Sequence, residues 1–227
     1  MLLDLAITAG GILPFYLGLI VVLRKQYDQK FSRLLRIFLL AGLSTVPFFG
    51  LQMLGINQAL FSSLLGPLYA MILLAFSEEF VKSVALYFDH ELKHQYYYPI
   101  LVGLGFAFFE NISYLMGFEF TITFLSIAII RLFTVSTAHA LFTSLITHFI
   151  QKGTRKTRTW YYLLGLLIAG SCHSLFNLLH HWEMSYLVVP LLIVLIVFLH
   201  FDEVHSQSRP LPSPALPPLR LKKASTH

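Results

Sequence analysis

Residues 98–117 read YPILVGLGFAFFENISYLMG, a stretch in which Glu110 is the only formally charged residue. A helix of about 20 mostly apolar residues is long enough to cross the hydrocarbon core of a bilayer. Similar apolar runs occupy residues 5–23, 35–55, 60–88, 119–150, 160–181 and 184–200. The sequence therefore predicts an all-α membrane protein, a bundle of about seven transmembrane helices.

The composition also indicates a membrane protein. Hydrophobic residues make up 56% of the 227 residues and charged residues 12%, whereas soluble domains carry roughly 25% charged residues. Because so few charged residues cannot cover a soluble globule, we expect the chain to lie in the cell membrane with lipid around it. The net charge of +5 comes from short basic clusters between apolar runs, so nucleic acid is not an expected partner.

The same basic clusters predict the orientation of the chain. They lie after the first run, after the fifth run and in the C-terminal stretch, and the connections on the opposite side carry none. Cytoplasmic loops are enriched in Lys and Arg. Seven spans with the N-terminus outside and the C-terminus in the cytoplasm place every cluster inside.

Polar residues interrupt four of the apolar runs at similar depths. Counting 1.5 Å per residue from the predicted cytoplasmic ends places Glu79 at roughly 14 Å and Glu110 at roughly 18 Å. The same count places His139 at roughly 17 Å and His173 at roughly 20 Å. Ionisable groups at this depth cost several kcal/mol and mark functional sites. The polar residues of this predicted layer are Glu78, Glu79, Lys82, Glu110, Asn111, Arg131, His139, His173 and Asn177.

Local spacing suggests how these groups are used. Lys82 lies four residues after Glu78 and three after Glu79, so it can reach either carboxylate on a helix. His173 and Asn177 share one helical face, and both can donate to a developing oxyanion. Taken singly, these residues can have structural roles instead of catalytic ones. An ion pair can stabilise a helix bundle, and a lone histidine can form a hydrogen bond to a neighbouring helix.

The polar residues fall in motifs that resemble those of the PrsW-type glutamic intramembrane proteases. Residues 77–82, SEEFVK, resemble the EExxK motif, and residues 106–114, FAFFENISY, resemble the FxxxE motif. Residues 139–143, HALFT, with Arg131 upstream, are similar to the third motif. Residues 172–177, CHSLFN, are similar to the fourth, HxxxN. The four motifs occur in the family's order on successive predicted helices.

This family is similar in turn to the CAAX proteases and the bacteriocin-processing membrane proteases. Those proteins carry EExxxR and FxxxH where this chain has EExxK and FxxxE. The glutamate at position 110 therefore makes CAAX processing the less expected activity.

The resemblance implies an enzyme that hydrolyses a peptide bond of a membrane-anchored protein, in regulated intramembrane proteolysis. The implied partner is a single-span substrate such as an anti-sigma factor. We expect N-terminal transmembrane helices in residues 1–58, the catalytic bundle in residues 59–200 and a disordered Pro-rich cytoplasmic tail in residues 201–227. The expected catalytic residues are Glu78, Glu79, Glu110 and His173, supported by Lys82, Asn111, Arg131, His139 and Asn177.

For the chemistry we expect no cofactor. Glu78 is predicted to act as the general base on water, and Glu110 to share its proton or help hold that water. A divalent metal stays open as an alternative, although no HExxH motif is present. Its possible ligands are Glu79, Glu110, His139 and His173, which have donor types suited to Zn²⁺ or Fe²⁺.

Two non-enzymatic functions also stay open. A proton-coupled transporter uses carboxylates and histidines at mid-membrane as a proton relay. Transporters of this kind commonly contain repeats, and no second half of this sequence matches the first. The other alternative is a non-catalytic membrane protein that binds and shields a partner helix.

Overall fold

The computed structural model describes residues 2–47, 66–88, 97–116 and 121–207, and all regular elements in these ranges are helical. The predicted all-α class is confirmed, and each of the seven apolar runs contains a helix, although α2 ends at Leu43, well before the predicted end of its run at residue 55, and residues 48–65 lie outside the described ranges. In chain order they are α1 Leu2–Tyr27, α2 Phe31–Leu43, α3 Gly66–Phe88, α4 Tyr97–Leu115, α5 Ile122–Lys152, α6 Arg158–His181 and α7 Val188–Gln207, with a 3-10 turn at Ser185–Leu187 before α7.

Four of these helices are long and apolar enough to cross a membrane, namely α1 from Thr8 onward, α4, α5 and α6. The chain is therefore a multi-pass membrane protein. The apolar stretch Ser185–His200, formed by the 3-10 turn and the first part of α7, is shorter, and α3 carries the charged motif of residues 77–82. The count of seven spans and the N-out orientation stay predictions. The predicted domain boundary near residue 58 and residues 208–227 of the predicted tail lie outside the described residues, whereas residues 201–207, predicted as the start of the tail, are helical and continue α7.

Helix α4 lies at the centre of the bundle, where α1, α2 and α5 pack against it. Apart from Ile100, all of its residues from Tyr97 to Phe108 are buried. Two glycines permit close helix approach. A Cβ on Gly105 would meet the backbone carbonyl of Phe38 on α2, and a Cβ on Gly103 would meet that of His139 on α5. The contact at Gly103 fixes the position of the His139 backbone against α4.

Contacts at one end of the bundle show how the helices alternate in direction. The Tyr87 hydroxyl at the end of α3 lies 2.8 Å from Thr159 Oγ1 at the start of α6. The rings of Tyr27 at the end of α1 and Tyr97 at the start of α4 are 5.3 Å apart. This end, here called the basic end, also carries Arg24, Lys25, Lys152, Arg155, Lys156 and Arg158.

Candidate active site

Helix α3 supplies a buried ion pair to the interior of the bundle. Lys82 Nζ lies 2.5 Å from Glu79 Oε1, and both side chains are inaccessible to solvent. Sequence spacing allowed Lys82 to pair with either neighbouring glutamate, and it pairs with Glu79. A buried ion pair is tolerated when additional hydrogen bonds satisfy its remaining donors and acceptors.

Two histidines from other helices supply those contacts. Lys82 Nζ lies 2.8 Å from Nδ1 of His139 on α5. Glu79 Oε1 lies 2.8 Å from Nδ1 of His173 on α6. Both imidazoles are buried, and their ring centroids are 5.1 Å apart. The structure therefore brings these predicted residues of α3, α5 and α6 together at one ion pair.

Helix α4 extends this polar chain through Glu110. Its Oε1 accepts a hydrogen bond of 2.8 Å from Arg131 Nη2, and its Oε2 lies 2.6 Å from His139 Nε2. Arg131 Nε donates to Asn111 Oδ1 at 2.8 Å, and the guanidinium lies 3.9 Å from the centre of the Tyr114 ring. A continuous polar chain of four helices thus links Arg131, Glu110, His139, Lys82, Glu79 and His173.

Glu78 differs from the other two acids of the layer. Glu79 pairs with Lys82 and Glu110 with Arg131. In the described part of the chain, the ion-pair contact of Glu78 is instead with His173, whose Nε2 lies 3.7 Å from Glu78 Oε2. That carboxylate oxygen is buried and has no hydrogen-bond partner among the described residues, a property it shares with Glu79 Oε2 and Glu110 Oε2. A buried acceptor of this kind needs a donor from water or substrate.

The hydrogen-bond partners determine which nitrogen of each neutral imidazole carries the hydrogen. A lysine ammonium only donates, so Nδ1 of His139 accepts from Lys82 and Nε2 carries the hydrogen. Nε2 lies 2.6 Å from Glu110 Oε2, a distance at which two facing lone pairs would repel each other. His173 has the opposite arrangement, because Nδ1 donates to the Glu79 carboxylate. Its Nε2 lone pair therefore faces Glu78.

A cleft of about 420 Å³ leads to the polar layer. On α3 and α5 the lining residues precede those of the layer in sequence, and on α4 and α6 they follow them. Because the helices alternate in direction, the cleft lies on the side of the layer away from the basic end. Asn177 lines the cleft one turn beyond His173, as their shared helical face predicted. The apolar lining includes Met71, Ile127, Ile130 and Phe176, and the polar lining includes Glu110, Tyr114, Arg131, Thr134, His139 and His180.

A metal ion has one candidate set of ligands among the described residues. Glu78, His139 and His173 each offer a donor atom, and these atoms lie within 4.8 Å of one another. The sequence had suggested Glu79 and Glu110 instead of Glu78, but those carboxylates pair with Lys82 and Arg131.

The hydrogen bonds leave this set incomplete. A catalytic zinc site has three protein ligands, and here Glu78 and His173 present lone pairs. A neutral His139 offers no free lone pair, because Nδ1 accepts from Lys82 and Nε2 then carries the hydrogen. As arranged, the site is one donor short of a three-ligand zinc site.

Two residues of the polar chain were missed in the sequence. The Tyr16 hydroxyl of α1 lies 2.6 Å from Ser136 Oγ on α5 and accepts a hydrogen bond of 2.8 Å from Asn111 Nδ2. Neither residue is charged, so a search for charges at membrane depth passes over both. For Tyr16, the available signal was a tyrosine hydroxyl in the middle of the apolar run of residues 5–23.

Comparison with known proteins places this site in a family. No curated protein and no solved structure matches the chain. The family described as PrsW family intramembrane metalloprotease matches residues 29–201. This range covers most of the chain and contains all nine residues of the predicted polar layer, but it does not reach Tyr16. The resemblance seen in the four sequence motifs is thus confirmed, and the chain belongs to the PrsW family of intramembrane proteases.

Proposed function

We propose that the protein is an endopeptidase that hydrolyses a peptide bond of a single-span membrane protein with water activated by Glu78. One observation carries this proposal: Glu78 Oε2 lies 3.7 Å from His173 Nε2, and both atoms are acceptors when Nδ1 of a neutral His173 donates to Glu79. Because hydrogen bonds from water are about 2.7–2.8 Å long, one water molecule can donate a hydrogen to each acceptor. Its oxygen lone pairs are then free, and one of them can attack a carbonyl carbon.

Glu78 is suited to the role of general base because no lysine or arginine salt bridge to it is present in the described residues. It takes one proton from water as the water oxygen bonds to the carbonyl carbon. The same proton then passes to the departing amide nitrogen as the carbon–nitrogen bond breaks. Glu79 and Lys82 hold His173 and His139 in place throughout.

The hydrogen bond between His173 and Glu79 alters the role we assign to His173. The sequence suggested that His173 donates to the oxyanion. With Nδ1 donating to Glu79, a neutral His173 has no hydrogen on Nε2, so we place it with the water instead. Asn177 retains the predicted role of oxyanion donor, since it lines the cleft beside His173. Such a donor contributes roughly 3–4 kcal/mol to transition-state stabilisation.

The cleft supports a membrane protein as the substrate. Its lining combines apolar side chains with a few polar groups near the layer, which suits an apolar segment whose backbone is locally unwound. An anti-sigma factor is one such single-span protein, proposed from the motif resemblance. If the basic end faces the cytoplasm, the cleft opens toward the outer half of the membrane, and cleavage occurs there.

We assign no step to a metal ion, although the family description names one. The reason is that Nδ1 of His139 accepts from Lys82, so Nε2 carries the hydrogen and only Glu78 and His173 present lone pairs. Metal analysis of the purified protein, with and without a chelator, tests this point. We expect substoichiometric zinc and iron, and cleavage that survives chelation. Stoichiometric metal, lost together with activity on chelation, would move the water activation to a metal.

The activity itself is tested with Glu78→Gln against a set of single-span reporter proteins in liposomes. We expect cleavage to fall by at least about 100-fold, the lower range for removal of a general base. The unfolding midpoint should stay close to that of the wild type. Glu183→Gln, in the exposed turn before α7, is the matched control and should cleave normally. Cleavage by Glu78→Gln at the control rate would exclude the proposed role of Glu78.

A further inference from the structure

Tyr16 of α1 joins the polar layer from a helix that the family match does not cover. The match begins at residue 29, and α1 ends at Tyr27. Tyr16 is fully buried, and its ring packs against Phe38 and Phe108, with centroid separations of 5.7 and 5.1 Å. Packing alone requires no hydroxyl at this position. The hydroxyl nevertheless has two side-chain partners, Ser136 and Asn111.

The contact with Asn111 determines which end of the amide faces Arg131. Asn111 Nδ2 donates to the Tyr16 oxygen at 2.8 Å, so Oδ1 points the other way and accepts from Arg131 Nε at 2.8 Å. A flipped amide would present its NH₂ group to a guanidinium, which has donors only. Because the Tyr16 oxygen accepts from Asn111, its own hydrogen goes to Ser136 Oγ, 2.6 Å away.

The orientation of Asn111 then affects Glu110. Arg131 is held at Nε by Asn111 and donates through Nη2 to Glu110 Oε1 at 2.8 Å. This leaves Glu110 Oε2 directed at His139 Nε2, 2.6 Å away. We propose that Tyr16 is a positioning residue of the active site, which acts through Asn111 and Arg131 to hold Glu110 against His139. The inference rests on the proposed function of the polar layer.

Tyr16→Phe tests this role because it keeps the ring and removes the hydroxyl. We expect kcat on a cleaved single-span reporter to fall about tenfold, the effect of losing one hydrogen bond near charged groups, with KM unchanged. Tyr162→Phe is the matched control. It removes a buried hydroxyl that lies 3.1 Å from Ser83 Oγ toward the basic end, and it should leave kcat at the wild-type value.

A second variant separates orientation of the amide from general damage. In Asn111→Asp, the side chain presents an oxygen to Arg131 in either orientation, so Tyr16 is no longer needed to orient it. Adding Tyr16→Phe to Asn111→Asp should therefore change kcat less than twofold. An equal tenfold loss in both backgrounds would show that the hydroxyl stabilises the bundle only, and would overturn the proposal.

A measurement without substrate keeps the inference distinct from the proposed function. The protein is labelled with ¹⁵N-histidine, and the His139 signal is assigned by its loss in His139→Gln. Tyr16→Phe should shift the His139 Nε2 resonance, since Glu110 moves, and Tyr162→Phe should not. An unchanged His139 resonance in Tyr16→Phe would overturn the positioning role. Failure of the proposed function would appear separately, as normal cleavage by Glu78→Gln.

Discussion

Lys82 lies in the interior of the bundle between the Glu79 carboxylate and the His139 imidazole, and its ammonium group donates to both. The spacing of residues 77–82 indicated a lysine within reach of two glutamates, but i,i+3 and i,i+4 pairs are equally accessible on a helix. The choice of Glu79 depends on His139 and His173, which approach from α5 and α6. The positions of side chains on neighbouring helices cannot be read from local spacing.

Lys82→Met should destabilise the protein by about 3–5 kcal/mol, because it leaves the Glu79 carboxylate buried without its cation. The double variant Glu79→Gln/Lys82→Met removes both charges and should recover part of this loss. Unfolding of the purified variants in denaturant measures both effects. A double variant less stable than Lys82→Met would show that the pair is not coupled in this way.

At the scale of helices, the apolar runs predicted where the helices lie along the chain. Counting residues from the predicted cytoplasmic ends indicated which four helices contribute to the polar layer. Close helix contacts were less predictable, because a glycine in an apolar run can face lipid or a neighbouring helix. Gly18 of α1 has open space around it, whereas Gly103 of α4 faces the backbone of His139. Tyr16 was missed for a related reason, since nothing local to α1 indicates its contact with Asn111.

Gly103→Ala should push α5 away from α4 at His139, which costs about 1–3 kcal/mol of stability as overpacking does. Cleavage should fall as well, since His139 contacts both Lys82 and Glu110. Gly18→Ala is the matched control and should be neutral or stabilising by up to about 1 kcal/mol, the usual gain for this exchange within a helix. Unfolding and reporter cleavage, measured on the same preparations, compare the two. Equal behaviour of both variants would contradict the close contact at Gly103.

For the whole molecule, the distribution of basic residues predicts a cytoplasmic basic end and an outward-facing cleft. The structure places the basic residues of α1, α5 and α6 at one end and the cleft toward the other. The sequence alone did not indicate the side of cleavage, because depth along each helix does not show where the bundle opens. That opening arises from the packing of α3 to α6.

This orientation is tested with single cysteines in a Cys172→Ser background, which contains no other cysteine. Glu183→Cys, in the exposed turn before α7, should react with a membrane-impermeant maleimide in intact cells. Lys156→Cys, in the exposed connection between α5 and α6, should react only after permeabilisation. The reverse labelling pattern would invert the predicted topology and place the cleft on the cytoplasmic side.

The central claim is that the glutamate–histidine layer hydrolyses a membrane-anchored protein. Quantitative proteomics of membrane peptides, comparing cells that express the wild type with cells that express Glu78→Gln, tests it most directly. We predict that a fragment of a single-span protein, cut within or next to its span, disappears in the variant while the intact precursor accumulates. Identical fragments and precursor levels in the two strains, at equal expression, would contradict the claim.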